Sequence, residues 1–200
     1  MKKIAFIVLV LGVILSFMSC SANRKVVRID SNEVVDLSGR WNDTDSRLVS
    51  SNMIQDLLSG RWILNYESAH GGKLPVVVVG TVQNKSHEHI DAETFIKDIE
   101  KAILDHGSVR LVQAGAKREE LRAEREDQNK GYVSLETAKK WGRELGADFM
   151  LQGTINSIVD TYKKNKVVSY QINLELTDLE TSEIVWMGDK KIKKTVSDRF

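Results

Sequence analysis

The sequence is short of the residues that build several whole classes of protein. It holds one Cys and one Pro in 200 residues. A single Cys excludes an internal disulfide framework and any zinc or iron–sulfur site built from several thiolates. A single Pro excludes a collagen-like or proline-rich chain. An excess of one charge is missing too. Against 28 acidic side chains stand 29 basic ones, a formal net charge of +1, without the basic surplus of a general nucleic-acid binder. What is present, 42% hydrophobic and 28% charged residues, suffices for one domain with an appendage.

No apolar run reaches the ~20 residues that a membrane-spanning helix needs. The longest, Ile4 to Met18, follows Lys2 and Lys3 and ends at Ser19-Cys20. A short positive start, an apolar run of this length and a small residue before Cys resemble a bacterial lipoprotein signal. That resemblance implies cleavage before Cys20 and a diacylglycerol on its sulfur, with palmitate-type acyl chains. It implies a signal peptide at 1–19, a lipidated tether at 20–42 and a domain at 43–198. Several acyl chains together give a stable anchor where one does not. Loss of Lys2 and Lys3 leaves one more acidic than basic side chain, so lipid and not charge holds the chain at the membrane. Ser21 after the Cys favours, by the same resemblance, the outer membrane, with the domain facing the periplasm.

From Ser21 to Asn42 no period of 2 or 3.6 is sustained, and the stretch reads as a tether. Asp43-Thr44-Asp45-Ser46 offers capping oxygens for a helix with Leu48, Val49, Ile54, Leu57 and Leu58 inward, closing at Gly60. Arg61 to Lys73 gives no clear period. Pro75 opens Val76-Val77-Val78-Val79-Gly80-Thr81-Val82, the β-branched run of a buried central strand. Asn84 to His89 reads as a polar loop. Asp91 caps a helix whose face is Ala92, Phe95, Ile96, Ile99, Ala102 and Ile103, stopped by Gly107.

Val109 to Val112 predicts a short strand. Lys117 to Glu126 is nearly all charge, with Glu119/Arg122 and Arg122/Glu126 at helical spacing, and predicts a solvated helix. Ser134 caps a further helix with Leu135, Ala138, Trp141 and Leu145 inward, stopped by Gly146. Phe149, Leu151, Gly153 and Ile155 mark a strand. Val168, Tyr170, Ile172, Leu174 and Leu176 alternate with polar residues, a strand with one buried face. Ile184, Trp186 and Gly188 run back along it after a turn at Asp178 to Glu183. Lys190, Lys191, Lys193 and Lys194 suit an exposed strand edge. The fold class expected is therefore α/β: a single domain with a mixed sheet, helices against it and an antiparallel hairpin at its C-terminal end.

Chemistry is sparse. His87-Glu88-His89 is the densest cluster of metal-ligand types. Without a third ligand at recognisable spacing it reads as a solvated loop. No G-x-S-x-G, H-E-x-x-H or phosphate-cradling glycine loop is present. The one Cys lies at the signal junction, where a catalytic thiol is not expected. The sequence points to no enzyme, cofactor, metal or small-molecule substrate.

Four ordered runs are distinctive. They are Leu37 to Arg47 (with Arg40-Trp41-Asn42-Asp43 at its centre), Val79 to Ser86, Glu144 to Ile155 and Glu183 to Gly188. Together they resemble the LpoB family of penicillin-binding-protein activators, from about Leu37 to Lys194. The resemblance implies a fold similar to the N-terminal domain of the translocation protein TolB. It also implies an outer-membrane lipoprotein that binds a bifunctional peptidoglycan synthase, a class A penicillin-binding protein, and stimulates peptidoglycan synthesis. Here the tether is short and lacks Pro, unlike the long Pro-rich tether of enterobacterial members. Arg40, Trp41, Asn42 and Asp43 are the residues offered for partner binding, since Arg and Trp are enriched at interface hot spots. The alternative for Trp41 is a staple at the first helix with Asp43 as its cap. A second class stays open, an envelope assembly lipoprotein similar to the secretion lipoprotein CsgG with no synthase partner.

Overall fold

The structure is a computed structural model, and it describes residues 25–130 and 145–197. The chain divides into two compact units, Met1–Glu33 and Val34–Phe200. In the first, the described residues 25–33 form no helix or strand, and a turn brings the Glu33 N–H to the Asp30 carbonyl. The second unit holds every helix and strand among the described residues.

Its elements in chain order are α1 (Asp43–Leu58), α2 (Arg61–Ala69), β1 (Val76–Lys85), α3 (Ala92–His106), β2 (Arg110–Val112), α4 (Gly115–Asn129), β3 (Phe149–Tyr162), β4 (Asn165–Asp178) and β5 (Ile184–Ser197). The five strands form one sheet in the order β2-β1-β3-β4-β5. β1 pairs in parallel with β2 and β3, while β3–β4 and β4–β5 are antiparallel. The mixed α/β sheet with a C-terminal meander is thus present as the sequence indicates.

The core lies on one face of the sheet. Val77, Val79 and Val82 of β1, Phe149, Leu151 and Ile155 of β3, and Val168 to Leu176 at alternate positions of β4 meet Val49, Ile54 and Leu57 of α1 and Phe95, Ile99 and Ile103 of α3. α1 packs on α3 and β5, and α3 packs on β1 and β2. The valine run is out of phase with simple alternation because Gly80-Thr81 forms an irregularity, with Val79 opposite Leu151 and Val82 opposite Gly153. The extra residue restores Val82 to the core face. Val76 and Val78, which alternate with Val77 and Val79, are buried too but lie outside the main core cluster.

Local chemistry explains the helix ends. Asp91 accepts the Glu93 N–H at 2.9 Å, and Gly107 closes α3 at φ 75°, a conformation that suits glycine. The cap of α1 is Asn42, one residue before the predicted group. Asn42 Oδ1 accepts the Asp45 N–H at 3.1 Å, while Asp45 Oδ2 accepts the Asn42 N–H at 3.0 Å, a reciprocal capping box. Asp43 is therefore an acidic first-turn residue and not the cap. Leu48, expected inward, is 48% exposed, and Met53 takes a core place instead.

Two further differences follow from tertiary contacts. Arg61 to Lys73, without a readable period, contains α2, which buries only Trp62 and Ile63. A helix of nine residues is too short to show a repeat. Asn84 and Lys85 belong to β1 and not to a loop, because β3 continues beside them as far as Asn156. Lys117 to Glu126 lies in α4 as expected, with Glu119 and Arg122 paired at 2.5 Å. The helix expected from Ser134 to Leu145, with Trp141 inward, lies outside the described residues except at its last position, and Cys20 lies outside them as well.

Candidate functional site

The four distinctive runs each supply one polar tie between elements. In the first, the residues before α1 are fastened to the far end of β5. Lys194 Nζ lies 2.6 Å from Asp45 Oδ2 and 2.7 Å from Asp36 Oδ1, and donates to the Arg40 carbonyl at 3.0 Å. Asp36 also accepts from the Asn42 amide at 2.7 Å. Lys194 was expected among the exposed edge lysines. Its side chain is instead 11% exposed, because positions 190, 192 and 194 of β5 share the face of the buried β4 residues. Gly39 permits the approach: a Cβ there would stand 2.3 Å from Val196 Cγ2.

Hydrogen bonds and ion pairing set the charge states of this clasp. Hydrogen bonds from Lys194 and then Asn42 hold the Asp36 carboxyl below its ordinary value. Burial pulls Lys194 down, but its bonds to Asp36 and Asp45 outweigh burial, and its pKa is raised.

Trp41 is half-buried at the same place. Its indole N–H donates to Ser46 Oγ at 2.7 Å, and its rings meet Tyr170 and Phe95 edge-on at 5.5 and 6.5 Å. The second run reaches it from β1. Asn84 donates to the Glu88 carbonyl at 2.8 Å and shapes the loop, and Glu88 Oε2 accepts the Trp41 N–H at 3.0 Å. His87 lies 3.2 Å from the other Glu88 oxygen and 2.6 Å from Ser157 Oγ. The His87–His89 loop is thus tied into the domain. Among the described residues no three ligating side chains converge on a metal position.

Of the four residues offered for partner binding, two are committed to the fold. Trp41 packs against aromatic rings and Asn42 caps α1, whereas Arg40 and Asp43 are exposed.

The third run centres on Asp148. Its carboxylate accepts the Val76 N–H at 2.8 Å and the Tyr66 hydroxyl at 2.7 Å, joining β1, β3 and α2. Burial first, and Asp148 next, push the Tyr66 hydroxyl up to about 12. Gly153 in this run is required by close approach, since a Cβ would lie 2.3 Å from the Asn173 carbonyl oxygen. The fourth run places Trp186. Its indole N–H donates to Asp56 at 3.2 Å, and its ring lies where a Gly188 Cβ would stand, 2.4 Å away.

These last two runs border a cleft of about 650 Å³ between α2 and the β4–β5 turn. Trp62, Tyr66, Phe149 and Trp186 form much of its wall, with Arg61 on one side and Asp178 and Glu183 on the other. Backbone N–H groups of Thr181 and Glu180 hold Asp178 below its ordinary value, so it stays ionised. Sequence reading missed this cleft. Its signal was the pairing of Trp62 and Tyr66 on one helical turn with the Trp186-x-Gly188 motif, which becomes informative only once the elements are adjacent.

A mixed sheet with helices on its core face and distinctive runs devoted to ties between elements defines an α/β domain of mixed-sheet type. The family model described as "Peptidoglycan-synthase activator LpoB" matches residues 45–192, and the chain belongs to the LpoB family of peptidoglycan-synthase activators. Among solved structures, the LpoB C-terminal domain from Escherichia coli is similar at 17% identity and TM-score 0.47, over 75% of this chain and 99% of that one. The LpoB C-terminal domain from Salmonella enterica is similar at 15% identity and TM-score 0.41, over the same 75% and 99%. Lipoprotein GNA1162 from Neisseria meningitidis is similar at 14% identity and TM-score 0.38, over 62% of this chain and 84% of that one. The search of curated proteins gives no match.

Proposed function

We propose that this chain is an outer-membrane lipoprotein that binds a bifunctional peptidoglycan synthase, a class A penicillin-binding protein, and raises its activity without chemistry of its own. Membership of the activator family over residues 45–192 carries this reading. Cleavage before Cys20 and lipidation of its sulfur supply the anchor, residues 20–42 the tether, and the folded domain faces the periplasm. Among the described residues no helix is long and apolar enough to cross a membrane. Arg40 and Asp43 remain available to a partner at the tether end of the domain.

An activator of this kind acts by binding the active conformation of the synthase more tightly than the resting one. A tenfold shift in that equilibrium needs a difference of ~1.4 kcal/mol, within reach of a few contacts. The test adds the lipidated chain, in detergent, to the host's own bifunctional synthase and follows lipid II polymerisation and crosslinking. A saturable rise in rate is expected. An unchanged rate with no binding overturns the reading. In cells, labelled palmitate is expected on the wild-type chain and absent from Cys20→Ser.

A further inference from the structure

β5 is the outer strand of the sheet, so no strand covers its far side among the described residues. Native edges are usually guarded by charge, above all by lysine. Here the guard leaves the start of the strand bare. Lys190, Lys191, Lys193 and Lys194 all lie after Gly188. The first five residues, Ile184 to Gly188, carry no charge, and Ile184 and Met187 are 51% and 59% exposed. This bare stretch borders the aromatic cleft, which Ile184, Val185 and Trp186 help to form. An irregularity between Leu176 and Thr177 leaves Val185 without a partner on β4 and sets Trp186 toward Asp56 and the cleft.

The cleft also has a preference of charge. Two carboxylates, Asp178 and Glu183, share the lining with one guanidinium, Arg61, and one imidazole, His70, which stacks on Tyr66. Asp178 is occupied by backbone N–H groups, whereas the Glu183 carboxylate makes no hydrogen bond or ion pair with a described residue. Aromatic faces beside an unpaired carboxylate suit a cationic side chain, which gains from both. The cleft lies far from the clasp. Trp186 and Lys194 are eight positions apart on β5, about 26 Å at the usual rise of an extended strand.

We infer that an extended, basic segment of the synthase adds as a strand to Ile184–Gly188 and lays a Lys or Arg side chain in the aromatic cleft against Glu183. Main-chain pairing supplies affinity and the cleft supplies specificity, the usual division in strand addition. This inference rests on the proposed function for the partner's identity. It places the contact at the end of β5 away from Lys194 and its clasp.

The test compares two variants of the lipidated full-length chain for binding to the host synthase. Glu183→Lys with Ile184→Lys extends the lysine guard to the bare stretch. Leu104→Lys makes the same type of change at an exposed apolar position on α3. With urea midpoints matched to wild type, the double variant is expected to bind about tenfold more weakly, the loss of one hot-spot contact. Leu104→Lys is expected to bind as wild type. Wild-type binding by the double variant overturns the inference, as does an equal loss in both.

A second probe does not depend on the synthase. It is a capped Val-Arg-Val-Arg-Val peptide, with Val-Glu-Val-Glu-Val as control. Saturable quenching of tryptophan fluorescence by the arginine peptide, lost in Trp186→Phe, supports the cleft even if the wild-type chain fails to bind the synthase and the functional reading falls. Absence of quenching, equal quenching by the glutamate peptide, or concentration-dependent dimers through β5 that block the peptide each overturn it.

Discussion

The Lys194 ammonium stands 2.6 Å from the Asp45 carboxylate, across 149 residues of chain, and the two side chains are only 11% and 8% exposed. The same carboxylate completes the capping box of α1. One ion pair therefore couples the start of the first helix to the end of the last strand. Removing one member of a buried pair strands the other charge.

Lys194→Met is expected to lower unfolding free energy by about 2–3 kcal/mol, below the full cost of breaking a buried pair because Asp36 is half exposed. Lys191→Met, at an exposed position with a contact of 3.9 Å to Asp189, is expected to stay within ~0.5 kcal/mol of wild type. Urea denaturation of both variants checks the pair.

Trp41→Ala is expected to cost about 3 kcal/mol, from lost ring contacts with Tyr170 and Phe95 and lost bonding to Ser46. Arg40→Ala is expected to change stability by less than ~0.5 kcal/mol, since its side chain is exposed. Partner binding measured on the same two variants separates the interface role offered for this run from its structural one.

Stability is expected to fall on both sides of a broad pH plateau. Asp36 and Asp178 have folded pKa values below 3.8, so their contribution is present above that pH and is lost as pH drops through the folded values. Lys194 has a folded value above 10.5, so its contribution is complete below 10.5 and is lost as pH rises through the folded value. Tyr66 adds to the alkaline fall between 10.0 and about 12. Urea midpoints against pH check this, and Lys194→Met is expected to flatten both limbs. An ultraviolet titration in which Tyr66→Phe removes no late-ionising phenol would contradict the Tyr66–Asp148 contact.

Gly153→Ala is expected to destabilise by roughly 1–3 kcal/mol, because the new methyl meets backbone that cannot swing away. Gly146→Ala, with nothing within 4 Å of its Cβ, is expected to be nearly neutral. Thermal unfolding of the two checks which glycine the fold requires.

Local pattern made much of this fold legible. The five apolar positions from Val168 to Leu176 are all buried, and Asp91 and Gly107 bound α3 where the sequence places its ends. Period, caps and β-branching act within a few residues, so a linear reading captures them. The family resemblance was legible too, because the four runs keep their order along the chain. The meaning of those runs was not. Lys194 reads as one edge lysine among four until β4 sets its face and brings Asp36 and Asp45 to it. Asp148 is one residue of the third run until β1 and α2 supply Val76 and Tyr66. The partly guarded edge of β5 and the cleft beside it exist only once the sheet has an order and α2 a position. By itself the sequence determined which segments become strands and helices and which face of each is apolar, since those depend on neighbours along the chain. Tertiary structure decided which charges are paired, which glycines are obligatory and where a partner finds bare backbone, since those depend on residues tens of positions apart.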